Sequence, residues 1–94
     1  MNDFLDEKGI ILCQGCGEDN LHAFGFKYFH REEDAKKGIM VSANKGVIVI
    51  NDSMKGCPSS RRGGIIVMFY CEHCEYITEI VIEQHKGNEF FNIR

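Results

Sequence analysis

Apolar and polar positions alternate with a period of two along most of this chain, the pattern of strands that turn one face to a core. Residues 21–30 place His22, Phe24, Phe26, Tyr28 and His30 on one side and mostly smaller or polar residues on the other. The aromatic stripe marks that side as the buried one. Residues 39–43 and 47–50 are largely apolar, β-branched runs parted by Asn44, Lys45 and Gly46, and because Asn and Gly tolerate positive φ the segment predicts a hairpin. Residues 65–70 are continuously apolar and predict the central, buried strand. Residues 76–84 alternate again, with Tyr76, Thr78, Ile80, Ile82 and Gln84 opposite Ile77, Glu79, Val81 and Glu83, so the side with the charges is expected to face water. Gly87 and Asn88 predict a turn, and 89–93 a short edge strand.

Between these runs the chain reads differently. The first nine residues form an acidic lead-in that is expected to fray, and 9–12 predict a short strand running into Cys13. Residues 31–37 are charged, a solvated turn or a single helical turn with pairs such as Glu32 with Lys36 or Glu33 with Lys37, which Gly38 ends. Residues 51–64, with Asp, Ser, Pro and several Gly, form the longest irregular stretch, and loops beyond about 12 residues in small domains are often functional. No stretch keeps a helical period over three turns. The expected class is all-β, an antiparallel sheet of about five to seven strands.

With 94 residues, 44% of them hydrophobic, the chain suits one domain spanning 1–94 and is too short for two cores. A domain of that size benefits from a covalent or metal staple. Five cysteines are present, and four form two pairs of the same spacing, Cys13-Gln14-Gly15-Cys16 and Cys71-Glu72-His73-Cys74. Each pair has the form of a zinc knuckle, and two knuckles make a four-thiolate tetrahedron, so the expected architecture is an enlarged zinc ribbon holding one structural Zn²⁺ per chain through Cys13, Cys16, Cys71 and Cys74. Gly17 falls where the knuckle turn needs positive φ. Iron fits the same spacing. Haem attachment requires His directly after the second cysteine, and Gly17 and Glu75 stand there instead. A thioredoxin-type dithiol would sit in a βαβ pattern, which is missing. With four protein ligands the metal keeps no open position for a reacting water, so it is not expected to be catalytic. His73 is then a polar residue of the second knuckle beside a complete ligand set.

The start of the chain has no basic segment followed by an apolar one, and no run approaches the roughly 20 apolar residues of a membrane helix. A soluble cytoplasmic protein with no membrane partner is expected. The net charge of −3, made more negative by a four-thiolate zinc site of about −2, does not favour indiscriminate binding to a phosphate backbone. Locally the balance reverses: no acid lies between Asp52 and Glu72, while Lys55, Arg61 and Arg62 fall in that window. Ser59, Ser60, Arg61, Arg62 and glycine-freed amides can converge on a phosphate or carboxylate, and His85 and Lys86 form a second polar cluster that can join them. The plainer alternative is a connecting loop whose arginines bind nearby carboxylates and whose serines cap its turn. Cys57, the fifth cysteine, lies in this basic segment, which favours a reactive thiolate, but no base can be placed beside it and an inert thiol is expected.

The run from Cys57 through Pro58, Ser59, Ser60, Arg61, Arg62, Gly63, Gly64 and Ile65, with Phe69, the second knuckle and Ile82-Glu83-Gln84-His85-Lys86-Gly87-Asn88, resembles small zinc-ribbon proteins of bacteriophages and mobile elements. The resemblance is best over the last third or so of the chain and looser at the first knuckle. It implies a zinc-bound β fold in a bacterial cell and carries no activity with it. The expected function is a non-enzymatic binding module that presents the basic loop to nucleic acid or to an acidic or phosphate-bearing partner. The alternatives are a protein that binds or inhibits a bacterial host protein, or a structural phage component that oligomerises through edge strands. A small enzyme using Cys57 or His85 ranks below these.

Overall fold

The computed structural model describes residues 5–94. Six strands follow the alternation: β1 (Leu21–His30), β2 (Ile39–Asn44), β3 (Val47–Asn51), β4 (Gly64–Cys71), β5 (Ile77–His85) and β6 (Asn88–Ile93). They form one antiparallel sheet in the order β3-β2-β1-β4-β5-β6, and there is no helix among the described residues. The fold is all-β, as the periodicity implied. Both outer hairpins turn on a Lys-Gly pair, Lys45-Gly46 and Lys86-Gly87, with φ of 50° and 85° in the first and 49° and 82° in the second. Two successive positive φ values make the tight turn whose twist suits a two-residue hairpin.

The register shows which side chains share a face. On one face, Phe29, Ile66, Met68 and Val81 form the buried cluster, with Phe24, Met40, Met54 and Cys57 packed against it. Met54 and Cys57 come from the 52–63 loop, which lies over this face. The opposite face carries Phe26 and Tyr28 of β1, Val41 and Ala43 of β2, Ile48 and Ile50 of β3, Ile65 and Val67 of β4, Ile80 and Ile82 of β5, and Phe91 of β6. At one end of that face sit Cys71 and Thr78, both buried. Farther along it, Phe26, Tyr28, Ile48 and Ile50 are exposed. The Cα atoms span only 39 × 32 × 17 Å, the thickness of one sheet with a loop on one side.

Several expectations change. The β1 stripe does not stay on one face, because the pairing with β4 shifts between Ala23 and Gly25. This bulge sends His22 and Phe24 to one side and Phe26, Tyr28 and His30 to the other. The buried aromatic is Phe29, 1% exposed, whereas Phe26 and Tyr28 are each 40% exposed. On β5 the face with the charges is not wet throughout, since Val81 on that face is in the core opposite Ile66. The strand expected at 9–12 reduces to a single bridge between Leu5 and Ile11. Residues 5–11 do not fray: the Asp6 carboxylate accepts hydrogen bonds from the N–H groups of Lys8 and Ile10. The start of the acidic lead-in, 1–4, lies outside the described residues. Residues 31–37 turn without forming helix, and their acids pair with arginines of the distant 52–63 loop rather than with lysines four positions on.

Candidate metal centre

The two cysteine pairs build their turns in the same way. In the first, the Gly15 N–H donates to Cys13 Sγ (3.3 Å), the Gly17 N–H to the Cys13 carbonyl (2.9 Å), and the Cys13 N–H to the Glu18 carbonyl (2.8 Å). In the second, the His73 N–H donates to Cys71 Sγ (3.4 Å), the Glu75 N–H to the Cys71 carbonyl (3.3 Å), and the Cys71 N–H to the Tyr76 carbonyl (3.3 Å). The fifth position of each turn has positive φ, Gly17 at 81° and Glu75 at 63°. Glycine occupies that position only once, so in the second knuckle Glu75 adopts a conformation that costs an L-residue about 1 kcal/mol or more.

β4 ends in Cys71 and delivers the second knuckle, while the first is held over the same end of the sheet by contacts to β5 and to the residue that follows β4. The Gln14 N–H donates to Thr78 Oγ1 (3.1 Å), and the Glu72 N–H donates to the Asn20 carbonyl (3.2 Å). Thr78 is fully buried beneath the first knuckle. The ring of Tyr76 lies against Gly15 so closely that a Cβ there would fall 2.7 Å from Tyr76 Cβ. Glycine is therefore required at Gly15 by the approach of Tyr76.

These turns bring the sulfurs of Cys13, Cys16, Cys71 and Cys74 within 4.8 Å of one another, with Cys13 and Cys71 buried and Cys16 and Cys74 exposed. The nearest pairs are Cys13 with Cys74 (3.5 Å) and Cys16 with Cys71 (3.6 Å). A tetrahedral ion with metal–sulfur bonds of about 2.3 Å sets its sulfurs about 3.8 Å apart, so the donor set fits a metal ion. The thiols also respond unequally to their crowding. Burial pushes the Cys13 thiol up, but the N–H groups of Cys16 and Gly15 and the sulfurs of Cys74 and Cys71 outweigh it and bring it down to about 6. At Cys16 the Glu18 N–H pulls down, yet burial and the sulfurs of Cys71, Cys74 and Cys13 together push the thiol up to about 12. Cys74 is also raised: the Tyr76 N–H lowers it, and burial with the Cys13 and Cys71 sulfurs prevails. The hydrogen bonds at Cys13 favour its thiolate, whereas crowding by the other sulfurs disfavours charge at Cys16 and Cys74, an arrangement that a bound cation would relieve.

His73 turns away from the sulfurs, with Nε2 2.8 Å from Asn20 Nδ2. His22 Nε2 lies 3.1 Å from Glu72 Oε1, and its ring stacks on Tyr70.

Of the residues expected to form an anion site, Ser59, Arg61 and Arg62 are engaged within the protein. Arg61 forks onto Asp34, through Nε to Oδ1 (2.7 Å) and an Nη to Oδ2 (2.8 Å), and also reaches Glu33 (3.2 Å). Arg62 takes the other Glu33 oxygen at 3.1 Å. The Asp34 carboxyl is held below its ordinary value by the Arg61 hydrogen bond. Ser59 is buried; its hydroxyl donates to the Gln84 carbonyl (2.9 Å) and accepts from the N–H groups of Arg61 and Arg62. Ser60 and Lys55 are exposed, and Lys86 lies in the β5–β6 turn beside His85, whose ring tilts against Phe90. Cys57 donates its S–H to the Arg62 carbonyl (3.3 Å) and packs on the core. Of the two readings of this loop, the ion pairs are those of the plainer one: Glu33 and Asp34, 27 to 29 positions earlier, engage both guanidinium groups.

Sequence reasoning missed the residue that fixes this arrangement. Arg31 donates to the carbonyls of Arg62 (2.9 Å), Ser59 (2.6 Å) and Ala35 (3.2 Å), tying the 31–37 turn to the loop over the core. Arg31 begins a mixed-charge run, and nothing local distinguishes it from a solvated residue.

No protein-family model, curated protein or solved structure matches the chain. No helix among the described residues is long and apolar enough to cross a membrane.

Proposed function

We infer that the protein is a non-enzymatic, zinc-stabilised interaction module that binds another protein through the uncovered apolar face of its sheet. The observation that carries this is the contrast between the two faces. One is covered over its middle by the 52–63 loop and exposes Val47, Val49, Tyr70, Ile77 and Phe90 only on its edge strands and beside the cysteine end, whereas the other exposes Phe26 and Tyr28 of the central strand β1 together with Ile39, Ile48 and Ile50, each at 40% or more. Contiguous apolar surface on that scale marks interaction sites in soluble proteins. The metal serves the fold: four thiolates favour zinc, leave it no open coordination position, and clamp the lead-in of the chain onto the end of β4. The phage zinc-ribbon resemblance supports the metal assignment.

A nucleic-acid role draws less support. The chain is acidic overall, and Arg61 and Arg62 already bind Glu33 and Asp34. The discriminating experiment is native mass spectrometry for the metal, paired with titration of labelled single- and double-stranded DNA and RNA at low salt. One zinc per chain and no saturable nucleic-acid binding up to about 10 µM is expected, because the phosphate term that dominates such binding needs unpaired cations. Micromolar binding that falls steeply with added salt would replace the protein-interaction role with the nucleic-acid one.

A further inference from the structure

We propose that the partner covering the open face is a second copy of this chain, and that two sheets pack face to face into a sandwich with a metal centre on each sheet. This rests on the interaction role inferred above and specifies its partner. Three features of the face point to a like copy.

The first is composition by position. Following the register across all six strands, the face presents Leu21, Ala23, Phe26, Tyr28 and His30, then Ile39, Val41 and Ala43, then Ile48 and Ile50, then Ile65, Val67 and Phe69, then Ile80, Ile82 and Gln84, and lastly Glu89, Phe91 and Ile93. No lysine or arginine is on it, and Glu89, near one corner on an edge strand, is its one acid. The lysines, arginines and other acids of the described residues are on the opposite face, the turns, the loops and the termini. A protein of net charge −3 repels its own copies over most of its surface, but not here. A nearly neutral surface is self-complementary, as a two-fold interface must be.

The second is area. Six strands about 4.8 Å apart, averaging about seven residues at about 3.3 Å each, give the face roughly 700 Å² in plan. Two such faces bury on the order of 1,400 Å², which lies inside the range of specific interfaces.

The third is shape. β1 and β4 form the middle of the sheet, so the Phe26–Val67 pair stands at the centre of the face with β-branched and small side chains around it. Flat sheets of that composition pack about 10 Å apart with interdigitated side chains. Centrally placed aromatic anchors carry most of the energy of such interfaces.

The test is sedimentation velocity of the zinc-loaded protein from about 1 to 200 µM, a span that separates weak from specific association. It is run on the wild type, on Phe26→Glu and Tyr28→Glu at the centre of the face, and on Val47→Glu, which lies on the other face of edge strand β3. Circular dichroism and zinc content confirm that each variant is folded. A wild-type dimer of twice 10.7 kDa is expected, with dimerisation weakened at least about 100-fold by either central substitution and unchanged by Val47→Glu. A dimer that survives both central substitutions overturns the proposal, because pairing then runs through an edge strand. So does a wild type that stays monomeric throughout. A fluorescent apolar probe divides that last case: binding that Phe26→Glu abolishes leaves the interaction role standing with a different partner, whereas no binding removes the role as well.

Discussion

Removing the metal should take this fold apart. The buried apolar cluster amounts to four side chains, Phe29, Ile66, Met68 and Val81, and the opposite face of the sheet contributes little while it is open to water. Domains of this size are stable by about 5–15 kcal/mol in all. Zinc bound to a structural four-ligand site contributes about 10–16 kcal/mol at neutral pH, as much as that whole margin or more. The structure shows where the contribution acts. With the thiolates no longer neutralised, the sulfurs 3.5–3.6 Å apart repel or reprotonate, and what still holds the 12–20 segment is a few hydrogen bonds, among them those to Thr78 and from Glu72. Each kcal/mol lost lowers the thermal midpoint by about 4–8 °C in a domain of 60–100 residues, so loss of even about 5 kcal/mol shifts it by 20 °C or more. The assay is a thermal melt followed by circular dichroism before and after a strong chelator, with mass spectrometry confirming that the metal has gone. Cys71→Ala, which removes a buried ligand at the end of a central strand, should reproduce the chelated melt. A metal-free protein that melts within about 5 °C of the loaded one would refute the structural role, since the sheet would then be self-sufficient.

Two further outcomes test other parts of the structure. Phe29→Ala should cost about 3–5 kcal/mol in urea melts, because it empties the best-buried aromatic site, whereas Phe26→Ala should cost the monomer under about 1 kcal/mol; equal costs would mean that the bulge in β1 is misplaced. Asp34 should titrate below its ordinary 3.8 because of the Arg61 hydrogen bond, and Arg61→Gln should raise it in an NMR titration. Since the folded-state pKa is the lower one, the pair's contribution is complete above the unfolded value and is lost as pH falls through the folded one. An Asp34 carboxyl that titrates normally in the wild type would show that the pair does not form in solution.

How far the sequence revealed these features follows from the range of the interactions. The strands and both outer hairpins are local, written in alternation and in turn residues, and could be read, although the second turn falls at Lys86-Gly87, one residue before the expected Gly87-Asn88. The four cysteines could be read as well, because identical spacing at two distant points admits few explanations. The bulge was missed although Gly25, a glycine inside an apolar alternation, is its signal. One extra residue there reverses the face of every side chain between it and the strand's start, so that Phe29 rather than Phe26 reached the core. The basic loop left two readings open for a different reason. Its positive charge is plain in a window from 52 to 72, but Glu33 and Asp34 lie outside any such window and are carried to it by the β1–β4 pairing.

Alternation shows that each strand has an apolar side but not what covers it. Here strands that flank β1 and β4 place apolar residues on both sides, Met40 beside Val41 and Val81 beside Ile82, as a sheet covered on both faces would. Within the described residues the material for covering is sufficient for one face only. The 52–63 loop supplies Met54 and Cys57 as its apolar anchors, and Arg31, Ser59 and the acids of the 31–37 turn fasten it down. The cysteine clamp roofs the far end of the second face, over Cys71 and Thr78. In the dimer proposed above, a second copy of the chain covers that face, and the four-cysteine clamp stands at one end of the layer so formed.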